Sequence, residues 1–186
     1  MSSINEIIDG CKAGTEKFQS EMYSRYSGKM FAICLYYSKN RTEAEDILHD
    51  GFISVFQNIS QLRDYSLIDF WVRKIFVNCA LARYRKQNVL QFEVNLPETS
   101  DTLHYEDVID QMSAQEITAL IQTLSPQYRI VFNLYAIEGY SHKEIADLLN
   151  ISESTSKSNL SRARVIMQEK ITKQHSFFRK KVALVK

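Results

Sequence analysis

Glycine and proline are scarce in this sequence, whose 186 residues contain only 5 Gly and 2 Pro. Because these two residues interrupt helices and shape turns, their scarcity and the long periodic apolar patterns predict an all-α chain. The 3 cysteines, Cys11, Cys34 and Cys79, are odd in number and far apart. This spacing matches neither a disulfide framework nor a zinc site and predicts reduced thiols buried in helical cores.

Long apolar runs are also missing. No run approaches the length of a membrane span, and the polar N-terminus lacks the apolar core of a signal peptide. The 4 histidines are dispersed, and the sequence has no nucleophile–base set, phosphate-cradling glycine loop or metal-ligand spacing. We therefore expect a cytoplasmic protein that is not an enzyme, needs no cofactor or metal, and does not insert into a membrane.

The net charge of +1 conceals an uneven distribution. Residues 1–62 carry 6 basic and 8 acidic groups, and residues 63–87 carry 6 and 2. Residues 88–112 carry no basic and 6 acidic groups, whereas residues 113–186 carry 11 and 6. Two basic blocks separated by an acidic segment indicate two nucleic-acid contacts joined by a flexible linker.

Apolar periodicity predicts the helices of the first block. Two helices are expected within 4–37, a third from near Arg41-Thr42 with a capping box at Thr42 and Glu45, and a fourth after the polar break at 60–66. The fourth helix has a basic, hydrogen-bonding side, and its Phe70 and Trp71 are expected to be buried. The predicted apolar core positions of the first three helices are Ile4, Ile7, Ile8, Phe18, Met22, Tyr26, Met30, Ile33, Tyr37, Leu48, Phe52, Val55 and Ile59.

The segment SHKEIADLLNISESTSKSNLSRARVIMQEK, residues 141–170, predicts two helices joined by a tight turn. Ser141 and Ser152 are suited to cap them, and Leu160, Ala163 and Met167 form an apolar stripe on the second. This segment follows two further predicted helices, at 113–124 and about 127–137. From Ser152 onward, 5 of 7 residues are Ser or Thr, and small hydroxyl residues allow a helix to approach DNA closely.

Two interpretations of this segment stay open on local evidence. A helical hairpin with a solvated basic face is the commoner arrangement, whereas a helix–turn–helix would read the major groove of DNA. The very tight turn, the hydroxyl-rich second helix and the positive charge favour the DNA reader.

Three ordered segments together resemble the extracytoplasmic-function sigma factors, a two-domain group of bacterial transcription initiation factors in the sigma-70 family. The segments are AEDILHDGFISVFQNI, FWVRKIFVNCALARYRK and LSPQYRIVFNLYAIEGYSHKEIADLLNISESTSKSNLSRAR. The resemblance implies a region 2 domain at 1–87, an acidic linker at 88–112, a region 4 domain at 113–175 and a basic tail at 176–186.

The resemblance also implies roles for particular residues, named by their numbers in this chain. The first domain would bind core RNA polymerase and melt the −10 promoter element, and the second would read the −35 element. The implied sites are Asp46, His49 and Asp50 for the polymerase, Leu62, Arg63, Asp64, Tyr65, Lys74 and Asn78 for the −10 strand, and Ser154, Lys157, Ser158, Ser161 and Arg162 for the −35 element.

The implied partners are promoter DNA, the clamp and flap of core RNA polymerase, and a membrane-anchored anti-sigma factor. The linker would run through the polymerase cleft toward the RNA exit channel.

His49 departs from the Gln or Glu usual in the family, and Ser156 replaces the usual Val, where it would loosen packing or bond back to the preceding turn. The rival function is an operator-binding regulator of the LuxR type, which the second basic and aromatic segment, residues 70–86, argues against.

Overall fold

The computed structural model describes residues 2–87 and 112–183, and every regular element in these two ranges is a helix. This confirms the predicted all-α class. The described residues form two compact units, one containing residues 2–87 and the other residues 112–183. No described helix has the length and apolar character needed to cross a membrane. The predicted linker residues 88–111 lie outside the described residues.

The first unit contains four α-helices and two 3₁₀ turns. The α-helices are α1 (Ile4–Lys12), α2 (Glu16–Tyr37), α3 (Arg41–Asn58) and α4 (Ile68–Gln87), and the turns between α3 and α4 are Ile59–Gln61 and Tyr65–Leu67. Helices α2, α3 and α4 contact one another, and α1 packs against α2. The two turns carry the chain from α3 to α4 through the loop that contains part of the predicted −10 site.

The predicted apolar positions form the core of this unit. Phe52 on α3 contacts aromatic rings on three sides, with centroid distances of 4.5 Å to Tyr23, 6.0 Å to Phe56 and 5.3 Å to Phe76. Such pairs each add about 0.5–1.5 kcal/mol beyond area burial. The buried members of the predicted set are Ile7, Ile8, Met22, Tyr26, Met30, Ile33, Phe52, Val55 and Ile59, while Ile4, Phe18, Tyr37 and Leu48 are half-buried.

Helix α3 begins at Arg41, as predicted, but its cap differs from the prediction. Asn40 is the N-cap, because its side-chain oxygen accepts a hydrogen bond from the Glu43 amide at 2.9 Å. The Glu43 carboxylate in turn accepts from the Lys39 amide at 2.7 Å, which explains why Glu43 is buried. The predicted capping box at Thr42 is therefore wrong, and its partner Glu45 forms an ion pair with Arg41 at 2.8 Å instead.

The prediction that Phe70 is buried is also wrong, since its side chain is 66% exposed. The core side of α4 is set by Val72, Phe76 and Ala80, which recur every four residues and are all buried. Phe70 precedes Val72 by two residues, so it projects from the opposite side of the helix. Trp71 lies between the two sides and is half-buried.

Two glycines in the first unit give a matched test of its packing. A Cβ at Gly51 would overlap the buried ring of Phe76, whereas a Cβ at Gly28 would meet nothing within 4 Å. We expect Gly51→Ala to destabilise the unit by about 1–3 kcal/mol through overpacking. Gly28→Ala should instead stabilise it by up to about 1 kcal/mol, because alanine favours the interior of an exposed helix.

The measurement is thermal unfolding followed by the fluorescence of Trp71, the single tryptophan of the chain. It reports on the first unit alone. A Gly51→Ala midpoint at or above that of the wild type would contradict the close packing of α3 against α4.

The second unit contains α5 (Ala114–Gln122), α6 (Pro126–Phe132), a π-helical segment (Asn133–Ile137), α7 (His142–Leu149) and α8 (Glu153–Ala183). The predicted helix at 127–137 thus ends in a wider turn, in which the Glu138 amide donates to the Asn133 carbonyl at 3.0 Å. The backbone of α8 continues into the predicted tail. The buried apolar residues of this unit are Leu120, Ile121, Leu124, Ile130, Val131, Leu134, Ile145, Ala146, Leu149, Leu160, Ala163, Met167 and Ile171.

A buried arginine closes the C-terminal end of α5. Arg129, on α6, is 5% exposed and donates to the carbonyls of Leu124 at 2.6 Å, Gln122 at 3.0 Å and Ile121 at 3.4 Å. The last carbonyls of a helix have no partner within it. One guanidinium therefore satisfies three acceptors and ties α6 to α5.

The turn between α7 and α8 is held by local hydrogen bonds, as the sequence predicts. Ser141 caps α7 in a capping box with Glu144. Asn150 ends α7 in the left-handed conformation, with a φ of 55°, and the Ile151 amide donates to the Ala146 carbonyl at 3.1 Å. The Ser152 hydroxyl then accepts from the Thr155 amide at 3.0 Å, which caps α8.

Candidate nucleic-acid and polymerase interfaces

The predicted polymerase-binding residues share one exposed face of α3. Asp46, His49 and Asp50 are spaced by three and one residues, and all three are exposed. The side chains of Asp46 and Asp50 are 52% and 61% exposed. This face can therefore be reached by a partner with basic groups.

Arg83, on α4, contacts this acidic face, and the sequence analysis did not link it to α3. Its guanidinium lies 2.7 Å from the Asp46 carboxylate, 3.9 Å from that of Asp50 and 3.7 Å from that of Glu43. Partly exposed pairs of this kind contribute about 1 kcal/mol or less each. Arg83 therefore orients Asp46 without removing it from solvent.

Leu62, a predicted −10 residue in the loop that follows α3, is buried. The Leu62 side chain is 4% exposed, and the Leu62 carbonyl accepts a hydrogen bond from Lys12 Nζ at 2.8 Å. The Leu62 side chain is thus part of the apolar core and presents little surface to a base in this structure. Arg63 and Asp64, the next two residues, are exposed.

The rest of this loop is held by α1 and by its own hydroxyl groups. Tyr65 donates a hydrogen bond to the Asp9 carboxylate, and Lys12 Nζ lies 3.1 Å from the Tyr65 hydroxyl and 4.4 Å from its ring centroid. Asp64 accepts from the amide and the hydroxyl of Ser66 at 2.9 and 2.7 Å, and these bonds lower the pKa of Asp64. Helix α1 therefore fixes the position of the loop.

Lys74 and Asn78 are both exposed and lie one turn apart on α4. Phe70 lies one turn before Lys74, so the three side chains occupy a common face of the helix. An aromatic ring, an ammonium group and an amide on one surface suit unpaired nucleic acid, because bases stack on rings while charge holds the phosphates. Phe70, which was predicted to be buried, is thus a surface residue.

The predicted −35 residues all lie in the first turns of α8. Ser154 and Lys157 are exposed, and Ser158, Ser161 and Arg162 are half-buried. Lys157 Nζ lies 2.7 Å from the Glu153 carboxylate, and this contact lowers the pKa of Glu153. Because an exposed pair of this kind contributes little, Lys157 can exchange it for a phosphate.

Ser156 does not occupy the edge position that the sequence predicts. It is 0% exposed, and its hydroxyl oxygen lies 3.0 Å from Nδ1 of His142, the first residue of α7. The side chain therefore bonds across to α7 rather than back to the preceding turn. A hydroxyl is accommodated there because a polar partner is present.

Comparison with known proteins finds two family matches, one in each of the two units. The sigma-70 region 2 family matches residues 22–89, and the sigma-70 region 4 family matches residues 114–167. The ECF RNA polymerase sigma factor SigW of Bacillus subtilis is 25% identical over 180 residues, which cover 90% of this chain and 96% of SigW. SigE of Mycolicibacterium smegmatis, also an ECF sigma factor, is 25% identical over 162 residues, and these cover 84% of this chain but only 62% of SigE.

Among solved structures, the sigma factor RpoE in complex with the anti-sigma factor NepR from Bartonella quintana is 19% identical. It matches 83% of this chain and 96% of its own, with a TM-score of 0.49.

The helical fold and the two family matches therefore define a two-domain transcription initiation factor. The chain belongs to the extracytoplasmic-function sigma factors of the sigma-70 family. Such a factor binds core RNA polymerase and directs it to promoters, reading the −35 element by helix–turn–helix and melting the −10 element. An operator-binding regulator of the LuxR type is not favoured, because the first unit matches region 2.

Proposed function

We propose that three surfaces of this chain divide the work of promoter-specific initiation. The first is the acidic face of α3, where Asp46, His49 and Asp50 bind the coiled coil on the largest subunit of core RNA polymerase. The support is their common orientation and their exposure beside Arg83.

The second surface holds the separated −10 strand. It combines Lys74 and Asn78 with Arg63 and Asp64 of the anchored loop, and Phe70 adds a ring on which a base can stack. Tyr65 acts mainly by fixing the loop to α1, since its hydroxyl bonds to Asp9. Capturing an unpaired base costs a few kcal/mol, which these polar groups offset.

The third surface reads the −35 element through the first turns of α8. Its members are Ser154, Lys157, Ser158, Ser161 and Arg162. The single observation that carries the whole proposal is that polar and basic exposed surfaces lie on both units. A regulator that reads an operator through its helix–turn–helix alone needs only the surface on the second unit.

The remaining partners follow from membership of the family. We place the protein in the bacterial cytoplasm, where its polymerase works, and expect a membrane-anchored anti-sigma factor to hold it inactive. The acidic linker at 88–112 would occupy the polymerase cleft. The flap of the polymerase would hold the second unit.

Run-off transcription with core RNA polymerase on a library of upstream sequences tests this function. We expect the chain to direct start sites from a defined promoter class and to bind the same DNA only weakly without the polymerase. Tight, sequence-specific footprinting by the free protein, with no effect on transcription when core enzyme is added, would contradict the proposal.

A further prediction concerns the −35 surface. We expect Lys157→Ala and Arg162→Ala to weaken holoenzyme binding by about 1–3 kcal/mol. Loss of a phosphate contact should weaken all sequences alike and flatten the salt dependence, whereas loss of a base contact should relax one position. The measurement is promoter affinity against salt for each variant, with Lys173→Ala, an exposed position more than four turns beyond Lys157 on α8, as the control. If both variants keep the wild-type affinity and salt slope, α8 is not the −35 reader.

A further inference from the structure

His142 is held on two sides in the second unit. Its ring stacks on the ring of Tyr135 from the π-helical segment, with a centroid distance of 4.6 Å and an interplanar angle of 22°. Its Nδ1 lies 3.0 Å from the hydroxyl of Ser156, which is fully buried. The Arg164 guanidinium carbon lies 5.8 Å from the centroid of the Tyr135 ring.

These contacts fix the orientation of an imidazole that is only half-buried. Since Nδ1 faces Ser156, Nε2 is the ring nitrogen left to contact a ligand. Ser156 is followed directly by Lys157, one of the proposed −35 contacts, and the charge of Lys157 acts on the His142 ring. The imidazole therefore borders the surface proposed to face DNA.

We propose that His142 is a further DNA contact of the second unit, that it binds a backbone phosphate in its protonated form, and that Ser156 and Tyr135 position it to do so. This inference rests on the proposed −35 role of α8. It adds a contact from the first helix of the helix–turn–helix and explains why a buried position of α8 carries a hydroxyl. That hydroxyl can donate or accept, so the pairing with Nδ1 survives a change of protonation.

The charges around the ring determine the protonation state. Burial lowers the pKa of His142 below its usual value, and the positive charges of Lys157 and Arg164 lower it further, while Glu153 acts in the opposite direction. The ring's own helix adds Lys143 and Glu144, and the π-helical segment adds the Tyr135 hydroxyl. In the free protein at neutral pH the ring is therefore mostly neutral.

A bound phosphate reverses this balance, because an adjacent negative charge favours the imidazolium. On binding DNA the ring takes one proton from solvent. Its Nε2–H then donates to the phosphate and its Nδ1–H to the Ser156 oxygen. Because the pKa is higher in the complex than in the free protein, DNA affinity rises as pH falls through the bound pKa. It levels off below the free pKa.

The experiment measures the affinity of the reconstituted holoenzyme for a promoter duplex carrying the −35 element, between pH 8 and pH 6 at constant salt. Each variant is compared with wild type at the same pH, which cancels the pH response of the polymerase. We expect the ratio of wild-type to His142→Gln affinity to rise about threefold to tenfold across this range, since uptake of one proton gives at most tenfold per pH unit.

Two further variants separate positioning from contact. Ser156→Val fills the buried space with an apolar group but removes the bond to Nδ1, so it should lose most of the pH-dependent gain while thermal unfolding shows a folded chain. Lys157→Ala should weaken binding at every pH and retain the pH-dependent gain, which moves to higher pH because the charge that lowers the pKa of His142 is removed.

Parallel pH profiles for wild type and His142→Gln would overturn the inference, and a wild-type profile in Ser156→Val would overturn the positioning role. If Lys157→Ala and Arg162→Ala weaken binding while His142→Gln does not change the profile, the −35 assignment stands and only the histidine contact fails.

Discussion

Replacing Asn78 or Lys74 with Ala should lower promoter opening by about tenfold or more and leave the affinity for core RNA polymerase unchanged. Each side chain is exposed on the face of α4 that carries Phe70, and neither lies on α3. Loss of one polar contact to nucleic acid costs about 1–3 kcal/mol, which corresponds to roughly five- to 150-fold in the opening equilibrium. Asp50→Lys should instead lower the affinity for core RNA polymerase, because it places a like charge against the basic groups of the polymerase clamp.

The measurement is paired. Fluorescence anisotropy gives the affinity of each variant for core polymerase, and the permanganate reactivity of thymines near the start site gives the extent of opening. Lys29→Ala, which removes an exposed lysine of α2 to which no role is assigned, is the control for a general loss of positive charge. Loss of polymerase binding in Asn78→Ala, with normal binding in Asp50→Lys, would exchange the roles of the two surfaces.

Arg129→Met should destabilise the second unit by on the order of 3 kcal/mol. Methionine can fill the space of the aliphatic stem, but the carbonyls of Leu124, Gln122 and Ile121 lose the guanidinium that they share. Removing a donor from a buried acceptor costs about 1–3 kcal/mol, and the Ile121 carbonyl loses least, because its bond to Arg129 is 3.4 Å long and the Leu124 amide also donates to it at 3.1 Å. The loss is therefore larger than that expected from a single surface ion pair.

Hydrogen exchange of peptides from 114–132 checks this prediction, and we expect roughly a hundredfold faster exchange in Arg129→Met. Lys143→Ala, at an exposed position of the same unit, should exchange like wild type. Trp71 fluorescence should report an unchanged first unit, because Trp71 lies in the other unit. Exchange at the wild-type rate in Arg129→Met would mean that the three carbonyls find other donors.

Local patterns in the sequence were sufficient for most of the fold. The repeat of Phe52, Val55 and Ile59 identified the buried side of α3 and of the turn that follows it. Ser141 and Ser152 identified the starts of α7 and α8, because periodicity and capping depend only on near neighbours. The start of α3 near Arg41 was also predicted, but its cap was not, because Asn40 and Glu43 make the cap that Thr42 was expected to make.

The contacts that shape the sites depend on distant residues and could not be predicted in this way. Lys12 bonds to Leu62 across a separation of 50 residues, and Arg83 reaches Asp46 across 37. His142 and Ser156 are separated by 14 residues and meet only after the turn has formed. The burial of Leu62 and the bond from Ser156 to α7 therefore became visible only in the folded chain.

The anchoring of the loop by α1 affects how this protein can be dissected. The region 2 match begins at residue 22, yet Asp9 and Lys12, which hold Tyr65 and Leu62, precede that boundary. A fragment cut at the family boundary would keep every proposed DNA contact of the first unit and lose the helix that fixes their loop. The functional module is therefore longer than the segment that sequence similarity delimits. Its first helix, α1, holds the proposed strand-binding loop, which lies about 50 residues later in the chain.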